Sequence, residues 1–317
     1  MSAGLALLLA CLIDRLAGEP RNALHPVAWF GRLMGALGRG LPDLPPSAAL
    51  LAGALAWAVG VGGAAALAWG LLQALWQLPA WAAVPLLALA IKPGFAWRML
   101  HDEVAAVGLA LQQGLEAGRA RLSRLCSREV SRLDAGQVRE TAIETLAENF
   151  NDSLLAPLFW WLLAGLPGLW AWRAANTLDA MWGYRGRWNH AGRCAARADD
   201  LLAWLPARLA AVLLLAVGRS PRALWQALPA QAARTPSPNG GWPMAAVALR
   251  LGLRLGKPGV YTLNPQGRVP QPVDLQHALA LGQGAALWAM ALAVLLSALV
   301  PAGAGLGPGL GLVGLMR

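Results

Sequence analysis

A stretch of about thirty residues without a charged side chain, Ala48–Leu78, constrains the fold more than any other feature of the sequence. A helix needs roughly 20 apolar residues to cross the hydrocarbon core of a bilayer, so this stretch is long enough to hold a complete span. The whole chain is 57% hydrophobic and 13% charged, whereas soluble domains carry about 25% charged residues. These values exclude intrinsic disorder and argue against an ordinary soluble globule.

We therefore predict an all-α fold, a polytopic integral membrane helical bundle whose polar helical segments carry the active site. The chain is interpreted as one membrane domain over residues 1–317. The predicted spans are approximately residues 2–18, 50–72, 79–97, 154–172, 201–218 and 278–300. The polar segments are residues 92–153, 173–200 and 219–277. The first span is short enough to be tilted or half-inserted, and the fifth contains Pro206 and Arg208, which suit a helix that dips in and is buried by protein.

The chain has 26 lysine and arginine residues but 16 aspartate and glutamate residues, so its net charge is +10. Lys92 and Lys257 are the only lysines, so the cations are almost all arginine, which pairs bidentately with phosphate or carboxylate. Anion binding explains this composition about as well as the two alternatives do, which are a GC-rich genome that favours arginine over lysine and charge-based membrane topology. Because the arginines are scattered between apolar spans, nucleic acid is not expected as a partner. The three cysteines and four histidines are dispersed, which argues against a metal site built on them.

The first polar cluster follows one face of a predicted helix. Glu140, Glu144, Glu148 and Asp152 are spaced by four residues, which keeps their carboxylates on one face. With the neighbouring Asn149, these groups suit Mg²⁺ or the deprotonation of an amine. The alternative is a solvated helix face.

The second cluster surrounds a pair of adjacent aspartates, Asp199 and Asp200. Adjacent carboxylates repel each other unless a cation or an arginine lies between them, so Asp199–Asp200 beside Arg197 is a candidate metal or phosphate site. An N-cap and first-turn acid on the following helix is the alternative. Upstream, the same polar segment holds Arg173, Asn176, Asp179, Tyr184 and Arg185.

The third cluster is a turn-rich loop over residues 235–243. This loop contains Ser237 and Asn239, and backbone N–H groups around Gly240 and Gly241 could form a nest that holds an anion, although many such loops are only turns. The preceding Arg208 lies inside a predicted span, where an arginine marks a functional or paired site unless it snorkels from the helix end. The sequence contains no Walker motif.

At these clusters the chain resembles the CobD/CbiB family of adenosylcobinamide-phosphate synthases, and the likeness runs over nearly the whole chain. The strings that carry it include Asp14-Arg15, Gly18-Glu19-Pro20, His25-Pro26-Val27, Ala147-Glu148-Asn149, Asn176-Thr177-Leu178-Asp179-Ala180-Met181, Leu205-Pro206-Ala207-Arg208-Leu209 and Asn239-Gly240-Gly241-Trp242-Pro243. The chain departs from the family where Arg132 is followed directly by Leu133-Asp134 instead of Asp-Thr. This departure puts in doubt a specific role for an acid at that turn.

The resemblance implies a reaction. Adenosylcobyric acid would be joined by an amide bond to (R)-1-aminopropan-2-ol O-2-phosphate, with ATP and Mg²⁺ as cofactors. The expected location is the bacterial inner membrane, in contact with the lipid bilayer and with other membrane enzymes of cobalamin assembly. Ethanolamine phosphate is the alternative amine, since it differs by one methyl group, which a pocket discriminates weakly.

The resemblance also assigns roles to the clusters. The predicted catalytic acids are Glu144, Glu148, Asp152 and Asp179. The predicted metal ligands are Asp199, Asp200 and Glu148. The residues expected to bind the substrates and their phosphates are Arg173, Arg185, Arg197, Arg208, Asn149, Asn176, Tyr184, Ser237 and Asn239.

Two other classes of function are weighed against this one. A membrane transporter for an anionic metabolite would be expected to show an internal repeat, and none is visible between the halves of the chain. A membrane phospho-alcohol transferase would carry Asp-Gly ahead of an Ala-Arg pair, and Ala196-Arg197 lacks it.

Overall fold

A computed structural model describes residues 2–184 and 186–299, and these residues are mostly helical, as predicted. The helices are α1 (Ala3–Ala17), α2 (Pro26–Gly38), α3 (Pro46–Trp76), α4 (Ala80–Ile91), α5 (Trp97–Gln113), α6 (Leu115–Leu122), α7 (Ala135–Phe150), α8 (Ala156–Trp182), α9 (Arg193–Leu202), α10 (Trp204–Ala216), α11 (Arg222–Ala232), α12 (Gly241–Leu251) and α13 (Pro272–Leu299). Two short strands, β1 (Leu255–Lys257) and β2 (Tyr261–Leu263), lie between α12 and α13.

Four helical segments of the described residues are long and apolar enough to cross a membrane: Pro46–Trp76, Ala80–Gln113, Ala135–Trp182 and Pro272–Leu299. They cover the predicted spans 50–72 and 154–172, all of 79–97 except Pro79, and all of 278–300 except Val300, which lies outside the described residues. The other two predicted spans correspond to α1 and α10, which have 15 and 13 residues. Both are shorter than the roughly 20 residues a span needs, and that either crosses the bilayer stays a prediction.

The start of α7 is fixed by a capping box. The Asp134 side chain accepts a hydrogen bond from the Gln137 N–H, and the Gln137 side chain accepts one from the Asp134 N–H. This reciprocal pair satisfies two backbone donors that the first helical turn leaves open. The acid after Arg132, where the chain departs from the family pattern, is therefore a helix cap.

The joint between α7 and α8 is irregular. A π-helical turn, Asn151–Leu155, connects the two helices, and α8 is kinked at Ala164 and Gly165 ahead of Pro167. Proline removes a helical hydrogen bond and clashes with the preceding turn, which favours a kink just before it. Gly165 has a φ of 61°, a left-handed conformation that glycine adopts without a steric penalty.

The β-hairpin was not predicted. In this antiparallel hairpin Leu255 pairs with Leu263, and the two strands are joined by the turn Lys257-Pro258-Gly259-Val260. The Val260 N–H donates to the Lys257 carbonyl at 2.9 Å, and Gly259 has a φ of 72°. Proline at the second and glycine at the third position fit a type II turn, which allows two three-residue strands in an otherwise helical segment.

The described residues form two compact units. The first comprises residues 2–96, 156–202 without Arg185, and 290–299. The second comprises Trp97–Leu155 and Ala203–Ala289. Most of the predicted polar segments 92–153 and 219–277 thus lie in the second unit, whereas the first contains the apolar α3, α4 and α8. That residues 1–317 form one domain stays a prediction.

Candidate functional site

The acidic face of α7, in the second unit, is formed as its four-residue spacing predicted. Glu140 and Glu144 are 8% and 3% exposed, so both carboxylates are buried. Glu148, one turn further, is exposed, and Asp152 is half-buried in the π-helical turn. A fully solvated helix face, the alternative interpretation, is therefore wrong for Glu140 and Glu144. A buried carboxylate must be paired or hydrogen-bonded to remain charged.

Arg128 is the partner of Glu144. Its Nη2 lies 2.9 Å from Glu144 Oε2, and its Nη1 donates to Thr141 Oγ1 at 2.6 Å. Tyr261 of β2 approaches the same carboxylate: burial and then the negative charge of Glu144 raise the pKa of the Tyr261 hydroxyl. The guanidinium favours the ionised form of Glu144 and fixes its orientation. Neither Arg128 nor Tyr261 was among the predicted site residues.

The turn-rich loop before α12 lies beside Glu148. A Cβ atom added to Gly240 would lie 2.9 Å from Glu148 Oε1, so the carboxylate packs directly against the glycine. Ser237 Oγ accepts hydrogen bonds from the N–H groups of Asn239 and Gly240, at 3.2 and 3.0 Å. The Gly240 N–H, one of the groups of the predicted nest, is thus used inside the loop. The structure does bring the first and third clusters together within the second unit.

Arg208 of α10 also reaches this loop. Its guanidinium carbon lies 4.0 Å from the ring centroid of Trp204 and 4.6 Å from that of Trp242. Its Nη1 donates to the Trp204 carbonyl at 2.5 Å and contacts Asn239 Oδ1 at 3.4 Å. The Arg208 guanidinium therefore contacts two indole rings, and snorkelling from the helix end stays an alternative interpretation.

The two remaining predicted residues of this unit bond locally. Asn149 Nδ2 donates to the Thr145 carbonyl one turn back, at 3.0 Å. Asp152 Oδ1 accepts from Asn151 Nδ2 at 2.8 Å. Both contacts help to hold the end of α7 and the π-helical turn.

A polar pocket of about 400 Å³ opens between the first turns of α7 and the β-hairpin. Gln137 and Glu140 line the helix side, and Arg254, Lys257 and Tyr261 line the hairpin side. Glu140 belongs to the predicted four-residue series but was not among the predicted site residues, and neither were the hairpin residues. The spacing of Glu140 was the available signal, whereas the hairpin depends on a turn that helical periodicity does not reveal.

In the first unit, the second cluster comes together where α8 and α9 pack. Asn176 Nδ2 of α8 donates to Asp199 Oδ1 of α9 at 3.3 Å. The carboxylates of Asp179 and Asp200 are close enough for their charges to repel. Burial raises the pKa of Asp200. Asp199 and Asp200 lie in the last turn of α9, and the N-cap of α10 is Ala203, so the helix-cap interpretation of these two acids is wrong.

The other predicted residues of this unit are more widely placed. Arg173 is half-buried, and with Thr177 it lines an apolar cavity of about 540 Å³. Arg197 and Tyr184 are exposed. Arg185 lies outside the described residues.

The carboxylates of the α8–α9 cluster could bind Mg²⁺ only together with ligands from substrate phosphates or water. Within the described part of the chain, no group of three His, Cys, Asp or Glu side chains is arranged to hold a metal ion. Mg²⁺ is commonly held by one or two carboxylates together with substrate phosphates and water, so a preformed three-ligand cage is not required. Asp199 and Asp200 fit this requirement. Glu148, the third predicted ligand, belongs to the second unit.

A second buried charge network lies in the first unit and was not predicted as one. Lys92 Nζ lies 3.1 Å from Asp14 Oδ1 and also contacts Glu19 Oε1. His25 Nδ1 accepts from the Val27 N–H, which leaves Nε2 to donate to Glu19 Oε2 at 2.9 Å. Burial alone raises the pKa of Glu19, but the hydrogen bond from His25 and the charge of Lys92 outweigh it, and the pKa lies below its usual range.

The chain was compared with known proteins. A family model described as CobD/Cbib protein matches residues 7–282. The cobalamin biosynthesis protein CobD of Chromobacterium violaceum is 39% identical over 94% of this chain and 99% of its own length. The proteins of the same name from Stutzerimonas stutzeri and Rhodobacter capsulatus are 39% and 38% identical, over 92% and 87% of this chain and 97% and 91% of their own lengths. No solved structure matches the chain.

Proposed function

Because this chain belongs to the CobD/CbiB protein family and so has a role in cobalamin biosynthesis, we propose that it is an adenosylcobinamide-phosphate synthase. Its reaction joins a propionate carboxyl group of adenosylcobyric acid to the amine of (R)-1-aminopropan-2-ol O-2-phosphate. The bond formed is an amide, and ATP and Mg²⁺ are required.

The observation that carries the mechanism is the buried pair of Glu144 and Arg128. An amine must lose a proton to become an amide nitrogen, and a positioned carboxylate can accept that proton. Of the acids predicted as catalytic, we assign this role to Glu144, because Arg128 holds it in one orientation and because Tyr261, whose pKa its charge raises, lines the polar pocket. Arg128 is then a positioning residue whose charge favours the ionised carboxylate.

The other side chains bind and orient the substrates. ATP with Mg²⁺ would supply the activation that makes a carboxyl group electrophilic, so that the expelled carboxyl oxygen leaves on phosphate as the amine nitrogen bonds to the carbonyl carbon. Arg208, fixed between Trp204 and Trp242, and Asn239 beside it offer donors to a substrate carboxyl or phosphate. Asp199 and Asp200 of the first unit would hold Mg²⁺ in complex with phosphates, and Asn176 orients Asp199 through its hydrogen bond.

We also propose that the protein is a multi-pass protein of the bacterial inner membrane. Four segments long and apolar enough to span support this location. In the long segment Pro46–Trp76, 11% of the residues in its apolar 18-residue stretch are buried inside the protein. Such a low buried share is typical of a helix that faces lipid.

The test is a ligation assay with the full-length protein in purified membranes. Adenosylcobyric acid, ATP and Mg²⁺ are supplied with each amino-alcohol phosphate in turn, and the amide product is detected by mass. Product and ATP consumption should both depend on the presence of adenosylcobyric acid and the amine. A transporter would consume no ATP in this assay, and a phospho-alcohol transferase would form its product without adenosylcobyric acid. Either result would contradict the proposal.

A further inference from the structure

The polar pocket of the second unit has opposite charges on opposite walls. Glu140 projects from α7 on one side, and Arg254 and Lys257 lie at the base and tip of the β-hairpin on the other. Glu140 is buried, whereas Arg254 and Lys257 are exposed. The Pro258-Gly259 turn between the strands holds the hairpin in a defined shape, so the two walls are formed by ordered elements.

These charges face one another without touching. Within residues 2–184 and 186–299, none of Glu140, Arg254 and Lys257 forms an ion pair shorter than 4.0 Å. The charge of Arg254 nevertheless acts on Glu140, and that of Lys257 acts on Glu144. Opposite charges that act on each other but are kept apart by a cavity leave room for a ligand that carries both signs.

We propose that this pocket binds a small zwitterion, a phosphate monoester that also carries an ammonium group. Arg254 and Lys257 bind the phosphate, and Glu140 binds the ammonium. This inference rests on the proposed function, in which an amino-alcohol phosphate is the amine substrate, and it assigns a place to that substrate.

The size and charge of the pocket favour a small ligand that carries both signs. About 400 Å³ is at the small end of the range for ligand pockets, which suits a small amino-alcohol phosphate but not a corrinoid. A ligand with phosphate alone meets the negative charge of Glu140, and an amine without phosphate meets the two cations. A molecule with both groups satisfies both walls.

The position of the pocket also agrees with the proposed base. Glu140 and Glu144 are one helical turn apart, about 6 Å along the axis. An ammonium group bound at Glu140 is therefore within one turn of the carboxylate proposed to take its proton. The amine would move from a binding carboxylate to a reacting one along the same helix face.

Binding to the detergent-purified full-length protein tests the inference by calorimetry. The probes are (R)-1-aminopropan-2-ol O-2-phosphate, the same amino alcohol without phosphate, and inorganic phosphate. The phosphorylated amino alcohol should bind at least about tenfold more tightly than either fragment, as expected when a second charged hydrogen bond is added.

Substitutions on each wall then test the contributions of the two walls to binding separately. Glu140→Gln should weaken binding of the phosphorylated amino alcohol about tenfold and leave inorganic phosphate unchanged or tighter. Arg254→Gln combined with Lys257→Gln should weaken binding of both phosphate-containing probes. Arg222→Gln, which removes an exposed arginine of α11 outside the pocket, is the matched control and should change nothing.

The failures can be told apart. If Glu140→Gln binds the phosphorylated amino alcohol as tightly as the parent while the ligation assay gives amide, the pocket is wrong and the proposed function stands. If the parent binds none of the probes, the pocket is also wrong. If the charge pattern of binding is as stated but no amide forms, the zwitterion site stands and the proposed function is wrong. Circular dichroism of each variant separates loss of binding from loss of fold.

Discussion

In the first unit, Asp14 and Glu19 share one lysine in a network closed on itself, whereas in the second unit Glu140 faces its cations across a pocket. Lys92 and Asp14 are 4% and 2% exposed at the side chain, so this network is almost removed from water. Desolvating such groups costs free energy, which their mutual attraction offsets only while every member is present. The closed network therefore serves folding, and the open arrangement serves binding.

The largest effect that would test this comparison is expected from Lys92→Met. The substitution leaves Asp14 and Glu19 buried without their cation, and removing one partner of a buried pair costs about 3–5 kcal/mol. Thermal unfolding in detergent should show a large loss of stability. Replacing Asp14 and Glu19 by their amides in the same chain should recover part of it. A Lys92→Met protein that melts like the parent would mean that the network does not stabilise the fold.

The next effect concerns activity. Glu144→Gln should lower amide formation by about 100-fold or more, the lower end of what a general base contributes, because the amide side chain cannot accept the proton. The ligation assay measures this, with unfolding as a control for stability. Glu116→Gln is the matched variant, since Glu116 belongs to the same unit and is 83% exposed. Equal activity of Glu144→Gln and Glu116→Gln would remove Glu144 from the mechanism.

A smaller effect is expected in the pH dependence of stability. The pKa of Glu19 is lowered from 4.5 in the folded protein, so the unfolded chain binds more protons at low pH. The stability that Glu19 contributes should be fully present above pH 4.5 and lost as the pH falls below it, through the folded pKa. Unfolding of Glu19→Gln should depend less steeply on pH in that range. An acid limb with the same slope in parent and variant would contradict the assignment.

The smallest effect is expected from an exposed pair in the first unit. Arg187 and Asp43 lie 2.8 Å apart, but their side chains are 64% and 65% exposed. Exposed ion pairs contribute less than about 1 kcal/mol and are screened by salt. Arg187→Gln should leave the unfolding temperature nearly unchanged at moderate salt. A loss of stability as large as that of Lys92→Met would mean that burial does not determine how much an ion pair stabilises this protein.

Sequence patterns predicted what depends on local spacing. The four apolar segments and the acidic face of α7 follow from hydropathy and helical periodicity. The contact of Asn176 with Asp199 joins two residues of the same predicted polar cluster. Most of the predicted polar segments 92–153 and 219–277 lie in one unit, and that they carry the active site stays a prediction.

Contacts between distant parts of the chain were not predictable in this way. Lys92 and Glu19 are 73 residues apart, and no periodicity relates them. Arg128 lies in a short connection before the capping box, where its guanidinium could have faced solvent. The hairpin depends on a four-residue turn inside a segment expected to be helical. In each case tertiary packing determines which residues come into contact, and local sequence patterns do not reveal that packing.

The length of α3 has a consequence for how the protein is handled. Its 31 residues extend about 46 Å, whereas the hydrocarbon core of a bilayer is about 30 Å thick. A helix with such an excess must tilt, protrude or thicken the surrounding lipid, and each of these adjustments costs free energy that depends on acyl chain length. The protein is therefore expected to be sensitive to hydrophobic mismatch, and lipids with longer chains should stabilise it more than short-chain lipids or small detergents.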